Sequence, residues 1–318
     1  MAHAGNVCLE MNQAWLLPSP VEKISWNKDI NWLVKRDDLI HPLVSGNKYR
    51  KLKHILHDFI LGNYKGLISF GGTFSNHIHA LAALCGLNKI PSVGIIRGEE
   101  DKANPSLAFA RSQGMDLHFV SREAYRLKTE DEHIASILHR FNDYYLVPEG
   151  GDHPLAEKGV AEIIYELGTQ GQMPDYMALS AGTGSTAAGL IRTIINKGWS
   201  TRVLVLSSLK AAGLGDKIAT RSGIDRNDFD FMDQYSLGGY ARTSPAYLDF
   251  MRQFYQKTGI PVDPVYNGKV VFGLNDLFEK GFFKAGSSIL WLHTGGLQGL
   301  AAFNYMQQKK IGSKGFFL

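Results

Sequence analysis

Cysteine is nearly absent: Cys8 and Cys85 are the only two in 318 residues. Two thiols allow one disulfide at most and no zinc-type cluster, so neither a disulfide framework nor a metal site organises this chain. Cys85 lies in the apolar run 80–85, where a buried, inert thiol is expected. Long hydrophobic runs are missing too. No stretch of 18 apolar residues occurs, so no membrane span is expected. The N-terminal residues carry Glu10 where a secretion signal needs an apolar centre, which makes the cytoplasm the expected compartment. Charge of one sign is scarce. The net charge is +4, and the basic residues are scattered except in 48–53, which argues against a nucleic-acid partner. Repeats and low-complexity tracts are absent.

What is present is a regular alternation. Short apolar segments at 32–35, 66–70, 92–96, 117–120, 144–147, 176–180, 202–206 and 288–292 read as strands. Helical patterns at 76–87, 105–113, 130–142 and 158–170 lie between them. Continuous apolar strands alternating with helices imply an α/β protein with mainly parallel sheets covered on both faces. The 34 glycines suit many tight strand-to-helix turns. The length suggests two domains or one large α/β unit, and two three-layer domains are expected. The Gly-Gly and Pro of 149–154 mark a domain crossing. A smaller domain over 51–155, inserted into a larger one made of 1–50 and 156–318, is expected, with a ligand site at their interface. The polar, Gly-rich stretch 211–239 gives no clear element.

Three segments carry chemistry. Lys48 follows Gly46-Asn47, a turn pair, at the start of a helical pattern, and the neighbouring Arg50 and Lys51 are expected to lower its pKa. Gly71-Gly72-Thr73-Phe74-Ser75-Asn76 links a strand to a helix. It suits an anion site, and Ser75 or Asn76 suits a helix cap equally well. Gly182-Thr183-Gly184-Ser185-Thr186 also joins strand to helix. It has no P-loop lysine, so it fits a single phosphate or a plain structural turn. A Schiff-base lysine, a hydroxyl-amide turn and a phosphate loop, in this order, are the parts needed to hold pyridoxal phosphate (PLP). His77 and His79 are two apart, do not face each other on a helix, and make no metal site. His293 is open between a structural and a site role. Tyr240 and Tyr266 lie in Gly-rich loops, where packing and bordering a ring-shaped cofactor are both open.

These segments resemble the PLP-dependent family containing 1-aminocyclopropane-1-carboxylate (ACC) deaminase and D-cysteine desulfhydrase, of the tryptophan synthase β-like fold type II. The resemblance covers nearly the whole chain. It rests on Lys35-Arg36-Asp37-Asp38, on 46–52, on 71–76, on 183–189, on Pro264-Val265-Tyr266-Asn267-Gly268-Lys269, on 280–283 and on His293-Thr294-Gly295-Gly296. The resemblance implies that Lys48 carries the cofactor and that Asn76 bonds its phenolic oxygen. It implies that Gly182, Thr183, Gly184, Ser185 and Thr186 hold the phosphate. Ser75 would contact the substrate carboxylate or assist proton transfer, Tyr240 and Tyr266 would flank ring and substrate, and the protein would be a homodimer acting on a small amino acid.

Three positions depart from the ACC deaminases of that family: Asn267 replaces a glutamate, Thr294 a leucine and His77 a glutamine. By the resemblance, Asn267 and Thr294 lie near the pyridine nitrogen, and Asn76, His77 and Asn267 near the substrate. A carboxylate there would keep the ring a strong electron sink, as ring opening requires. A hydroxyl and an amide favour elimination of a good leaving group. A D-cysteine desulfhydrase-like lyase is therefore expected, with ACC deamination and non-catalytic amino-acid binding as the alternatives.

Overall fold

The computed structural model describes residues 15–26 and 30–311; Cys8 and the N-terminal residues considered for a secretion signal lie outside them. Among the described residues the strands are β1 (Val21–Lys23), β2 (Asn31–Lys35), β3 (Gly66–Gly72), β4 (Ser92–Arg97), β5 (Met115–Val120), β6 (Tyr144–Val147), β7 (Tyr176–Ala181), β8 (Arg202–Ser207), β9 (Phe229–Met232) and β10 (Ser288–Leu292). The helices are α1 (Gly46–Leu61), α2 (Asn76–Leu87), α3 (Pro105–Ser112), α4 (Arg122–Leu127), α5 (Glu132–Arg140), α6 (Pro154–Thr169), α7 (Ser185–Asn196), α8 (Leu214–Ser222), α9 (Pro245–Thr258), α10 (Asn267–Glu279) and α11 (Gly299–Ile311).

The chain forms two compact units. One holds Trp15, 41–44 and Lys48–Ala156; the other holds Leu16–Ile40, Ser45–Asn47 and the chain from Glu157 on. The first unit has a four-stranded sheet in the order β5-β4-β3-β6, parallel throughout. Ile68, Phe70, Val93 and Ile95 pack on one face against Tyr125 of α4 and Ile134 and Ile137 of α5. The opposite face is covered by α2 and α3.

The second unit has a six-stranded sheet, β1-β2-β10-β7-β8-β9. Only β1 runs antiparallel to its neighbour. Side chains alternate between two cores, as the strand period demands. Ala178, Leu204, Trp32 and Trp291 face Met251 and Phe254 of α9 and Val270 and Leu274 of α10. Met177, Leu179, Val203, Val205 and Leu290 face α6, α7 and α8 through Val160, Ile163, Ile194 and Ile218. Each such aliphatic side chain contributes roughly 1.5–3 kcal/mol by leaving water. The result is the tryptophan synthase β-like α/β fold, with helices on both faces of mainly parallel sheets.

The eight strands expected from sequence are all present. The two additional ones, β1 and β9, are short edge strands. β9 reads Phe-Asp-Phe-Met, and its Asp230 pairs with Arg202 of β8 at 2.8 Å, so it lacks a continuous apolar signature. The stretch 211–239 resolves into α8, β9 and two single helical turns. Cys85 is fully buried, and burial pushes its thiol up to about 12, so it is inert.

Candidate active site

The second unit carries candidate site residues at the C-terminal ends of β7 and β10, which are parallel neighbours. After β7 the chain turns through Gly184, which has φ +85° and forms the cap of α7 without any side-chain hydrogen bond. A Cβ there would stand 2.6 Å from Ile218 Cγ1, so only glycine fits. The amides of this first turn point out of the positive end of a 12-residue helix. Three hydroxyls surround it. Thr183 Oγ1 and Ser185 Oγ are 3.2 Å apart, and Thr186 Oγ1 accepts from Asn47 Nδ2 at 3.2 Å. A phosphate fits such a nest.

After β10, residues 293–295 meet the start of α1. Gly46 has φ +61°, and a Cβ on it would lie 1.9 Å from Thr294 O. Asn47 N–H donates to that same carbonyl at 3.2 Å. Gly46-Asn47 is thus more than a turn: it lets backbone run against backbone beside Thr186, immediately before Lys48.

Asp263 organises the start of α10. Its Oδ2 accepts from Val265 and Tyr266 N–H at 3.0 and 2.8 Å, and its Oδ1 from Asn267 N–H and Nδ2 at 2.9 and 3.0 Å. Burial raises its pKa against the pull of these donors. Asn267 Nδ2 donates again to Gly295 O at 2.8 Å, and its Oδ1 accepts from Thr294 N–H and Oγ1 at 3.1 and 3.3 Å. Every hydrogen-bonding position of the Asn267 side chain is therefore used inside the protein. Because Oδ1 only accepts, the Thr294 hydroxyl must be the donor, which leaves Thr294 Oγ1 with lone pairs alone to offer. Tyr266 lies over Gly182, 3.4 Å from where a Cβ would stand, and its ring meets Tyr240 edge-on at 6.3 Å. Burial raises the Tyr266 phenol, so it stays protonated.

The first unit carries Lys48, Ser75, Asn76 and His77. Lys48 Nζ donates to Gly150 O at 3.3 Å. Desolvation lowers its pKa to about 8, against the pull of Asp152. Burial, rather than the neighbouring Arg50 and Lys51, is what loosens this proton. Ser75 caps α2 by accepting Ile78 N–H at 3.3 Å, and this keeps its own proton available. Asn76 is the first residue of that helix. His77 is buried. Its Nε2 lies 2.8 Å from Ser69 Oγ, and the Ser69 hydroxyl donates to Val147 O at 2.7 Å. Ser69 must then accept, so His77 is the Nε2–H tautomer, with an unpartnered, buried Nδ1 lone pair. Desolvation first, then the charges of Lys48 and Lys51, hold it neutral.

His293, left open by the sequence, is structural. Its Nε2–H donates to Pro261 O at 2.8 Å, Nδ1 accepts Gly295 N–H at 3.2 Å, and the ring stacks on Trp291. Lys35 and Arg36 of the family-like segment make ion pairs with Glu166 and Asp38. The motifs do not mark Asp263 or Ser69, and the sequence marks Gly150 only as part of a domain crossing. For Asp263 a signal existed: an acidic residue just ahead of a helix start is a capping pattern.

A lysine with a loosened proton and a hydroxyl-lined helix N-terminus suit PLP, and comparison with known proteins agrees. Residues 16–295 match the family described as pyridoxal-phosphate dependent enzyme, and the chain belongs to it. It is 29% identical to a putative ACC deaminase of Pyrococcus horikoshii, over 90% of this chain and 93% of that protein. It is 27% identical to the mitochondrial bifunctional D-cysteine desulfhydrase/ACC deaminase of Arabidopsis thaliana, over 89% of this chain and 77% of that protein. The crystal structure of an ACC deaminase homologue superposes with a TM-score of 0.76 at 27% identity, covering 90% of this chain and 92% of that one.

Proposed function

We infer that this pyridoxal-phosphate dependent enzyme is a lyase of the D-cysteine desulfhydrase kind, converting D-cysteine or a similar D-amino acid, with water, to a 2-oxo acid, ammonia and hydrogen sulfide. Bound PLP supplies the electron sink that weakens the Cα–H bond of an attached amino acid. Lys48 anchors the cofactor and takes the Cα proton, for which an amine with a pKa of about 8 is well suited. The loop 182–186 holds the phosphate, Asn76 the phenolic oxygen, and the Ser75 hydroxyl the substrate carboxylate. Tyr266 and Tyr240 border the ring.

The observation that carries the reaction type is the neutral Asn267–Thr294 pair. With these residues at the pyridine nitrogen, the ring has no carboxylate beside it. The nearest one in the network, Asp263, has four N–H donors filling its oxygens. Expulsion of hydrosulfide demands less of the ring than opening a cyclopropane does. The names of the relatives favour a second reading, ACC deamination. The test is release of 2-oxo acids from a panel of D- and L-amino acids and ACC. Pyruvate from D-cysteine supports the first assignment, and 2-oxobutyrate from ACC without pyruvate from D-cysteine replaces it with the second. Turnover of neither, by protein that binds PLP, favours a binding protein.

A further inference from the structure

Lys269 lies in the first turn of α10 and is 1% exposed. A cation buried at a helix N-terminus is unfavourable on two counts, desolvation and the helix dipole. No carboxylate forms an ion pair with it among the described residues; Asp263 acts on it only through the field. Its Nζ is held instead by three backbone carbonyls: Ser208 O at 3.2 Å, Ser236 O at 2.7 Å and Gly239 O at 2.7 Å. Burial pulls the amine down to about 8, yet three acceptors need three protons, which only the ammonium form has.

The segment that supplies two of those carbonyls, Ser236 and Gly239, is strained. Leu237, Gly238, Gly239 and Ala241 all have positive φ, at 54°, 88°, 133° and 54°. Two of them carry a Cβ and are costly there. The carbonyls of Ser236 and Gly239 bracket Leu237 and Gly238, and the next residue is Tyr240, whose ring meets Tyr266. The third carbonyl, of Ser208, follows β8. One point charge thus ties the end of β8 to both sides of a loop that would relax without it.

We propose that the Lys269 ammonium is a tethered cation that positions the Tyr240 loop, and that the carbonyl cage around it is a latent site for a free monovalent cation of potassium or ammonium size. Carbonyl oxygens without an anion are the ligand set that replaces the hydration shell of potassium. The side chain fills the cage and supplies its charge. Lys269 is a positioning residue, and the importance of Tyr240 to turnover rests on the function proposed above; the cage does not.

The test compares PLP-loaded wild type, Lys269→Ala and Lys269→Met by thermal melting in KCl, NH4Cl, NaCl and LiCl at equal ionic strength. Lys269→Ala opens the cage and should melt at least about 3 °C higher in KCl or NH4Cl than in LiCl, saturably. Lys269→Met keeps the stem in place without the charge. It should be destabilised in every salt and show no such difference, as should wild type. Equal melting of Lys269→Ala in all four salts overturns the proposal, as does an equal potassium response from Lys269→Met. If Lys269→Ala does not fold on expression, refolding yield from urea in KCl and LiCl replaces the melt, and no potassium dependence there also overturns it. No substrate enters these measurements, so failure of the assigned reaction leaves the result intact.

Discussion

Ser69 fixes the tautomer of His77: its hydroxyl proton is committed to Val147 O, so its oxygen takes the imidazole Nε2–H at 2.8 Å. The buried ring stays neutral, with a pKa well below 6.5. Below about pH 6.5 the unfolded chain binds a proton at this position and the folded chain does not, so stability falls as the pH drops. His77→Gln should remove up to about 1.4 kcal/mol per pH unit of that loss between pH 6.5 and 5. Urea unfolding at pH 7.5 and 5.5 measures it, and equal slopes in wild type and variant would show that His77 titrates in the folded state.

Lys48 with a pKa of about 8 should capture PLP as a free amine well below the usual lysine range. The rate of cofactor uptake by stripped protein, followed by visible absorbance, should rise with pH to a midpoint near 8 rather than near 10.5. Lys48→Ala should lose that absorbance and at least about 10³-fold in turnover. Lys51, whose Nζ also donates to Gly150 O at 3.3 Å, is the nearest rival anchor. Borohydride reduction followed by peptide mapping separates them, and an adduct on Lys51 in wild type would displace Lys48.

Gly184 and Gly213 both have left-handed φ, at 85° and 72°, but their surroundings differ. A Cβ at Gly184 would meet Ile218 at 2.6 Å, whereas one at Gly213 meets nothing within 4 Å. Gly184→Ala should therefore distort the nest and weaken PLP binding by tenfold or more. Gly213→Ala should cost only the backbone strain, about 1 kcal/mol, with affinity unchanged. Equilibrium dialysis of PLP decides between a phosphate cradle and a plain turn, since a plain turn would leave both affinities alike.

Much of this was legible in the chain because it is local. Buried parallel strands such as β7 and β8 advertise themselves as apolar runs, and Ser75 announces a helix start. What escaped depends on distant partners. Gly46 looks like a turn glycine, yet it is required by Thr294 O, 248 positions away by number. The proton on Thr294 is dictated by Asn267, and that on His77 by Ser69. The edge strands β1 and β9 are short and each is interrupted by charge, as strands that are paired on one side only can be. Lys269 carries one faint signal, a lone cation at the head of Val270-Val271-Phe272, too little to reveal three converging carbonyls.

Asn267 and Thr294 are the proposed reaction-type switch, and their hydrogen bonds determine which variants can throw it. In Asn267→Glu a carboxylate would replace the amide that donates to Asp263 Oδ1 and Gly295 O. Two acceptors would then face an acceptor, and two carboxylates would crowd one buried site. The single variant should lose about 3–5 kcal/mol of stability, the cost of an uncompensated buried charge. It should gain little ACC activity, because one of the pair would take up a proton. Asp263→Asn with Asn267→Glu keeps a single charge and gives the new carboxylate an amide partner. This double variant should regain part of the lost stability, because the amide nitrogen that faces the new carboxylate no longer accepts the residue 267 N–H. With Thr294→Leu added, which removes the hydroxyl competing for the new carboxylate's oxygens, it should raise 2-oxobutyrate release from ACC relative to pyruvate release from D-cysteine by tenfold or more. Urea unfolding and paired turnover assays measure the two halves. An Asn267→Glu single variant that is as stable as wild type and already prefers ACC would show that Asp263 does not govern this position.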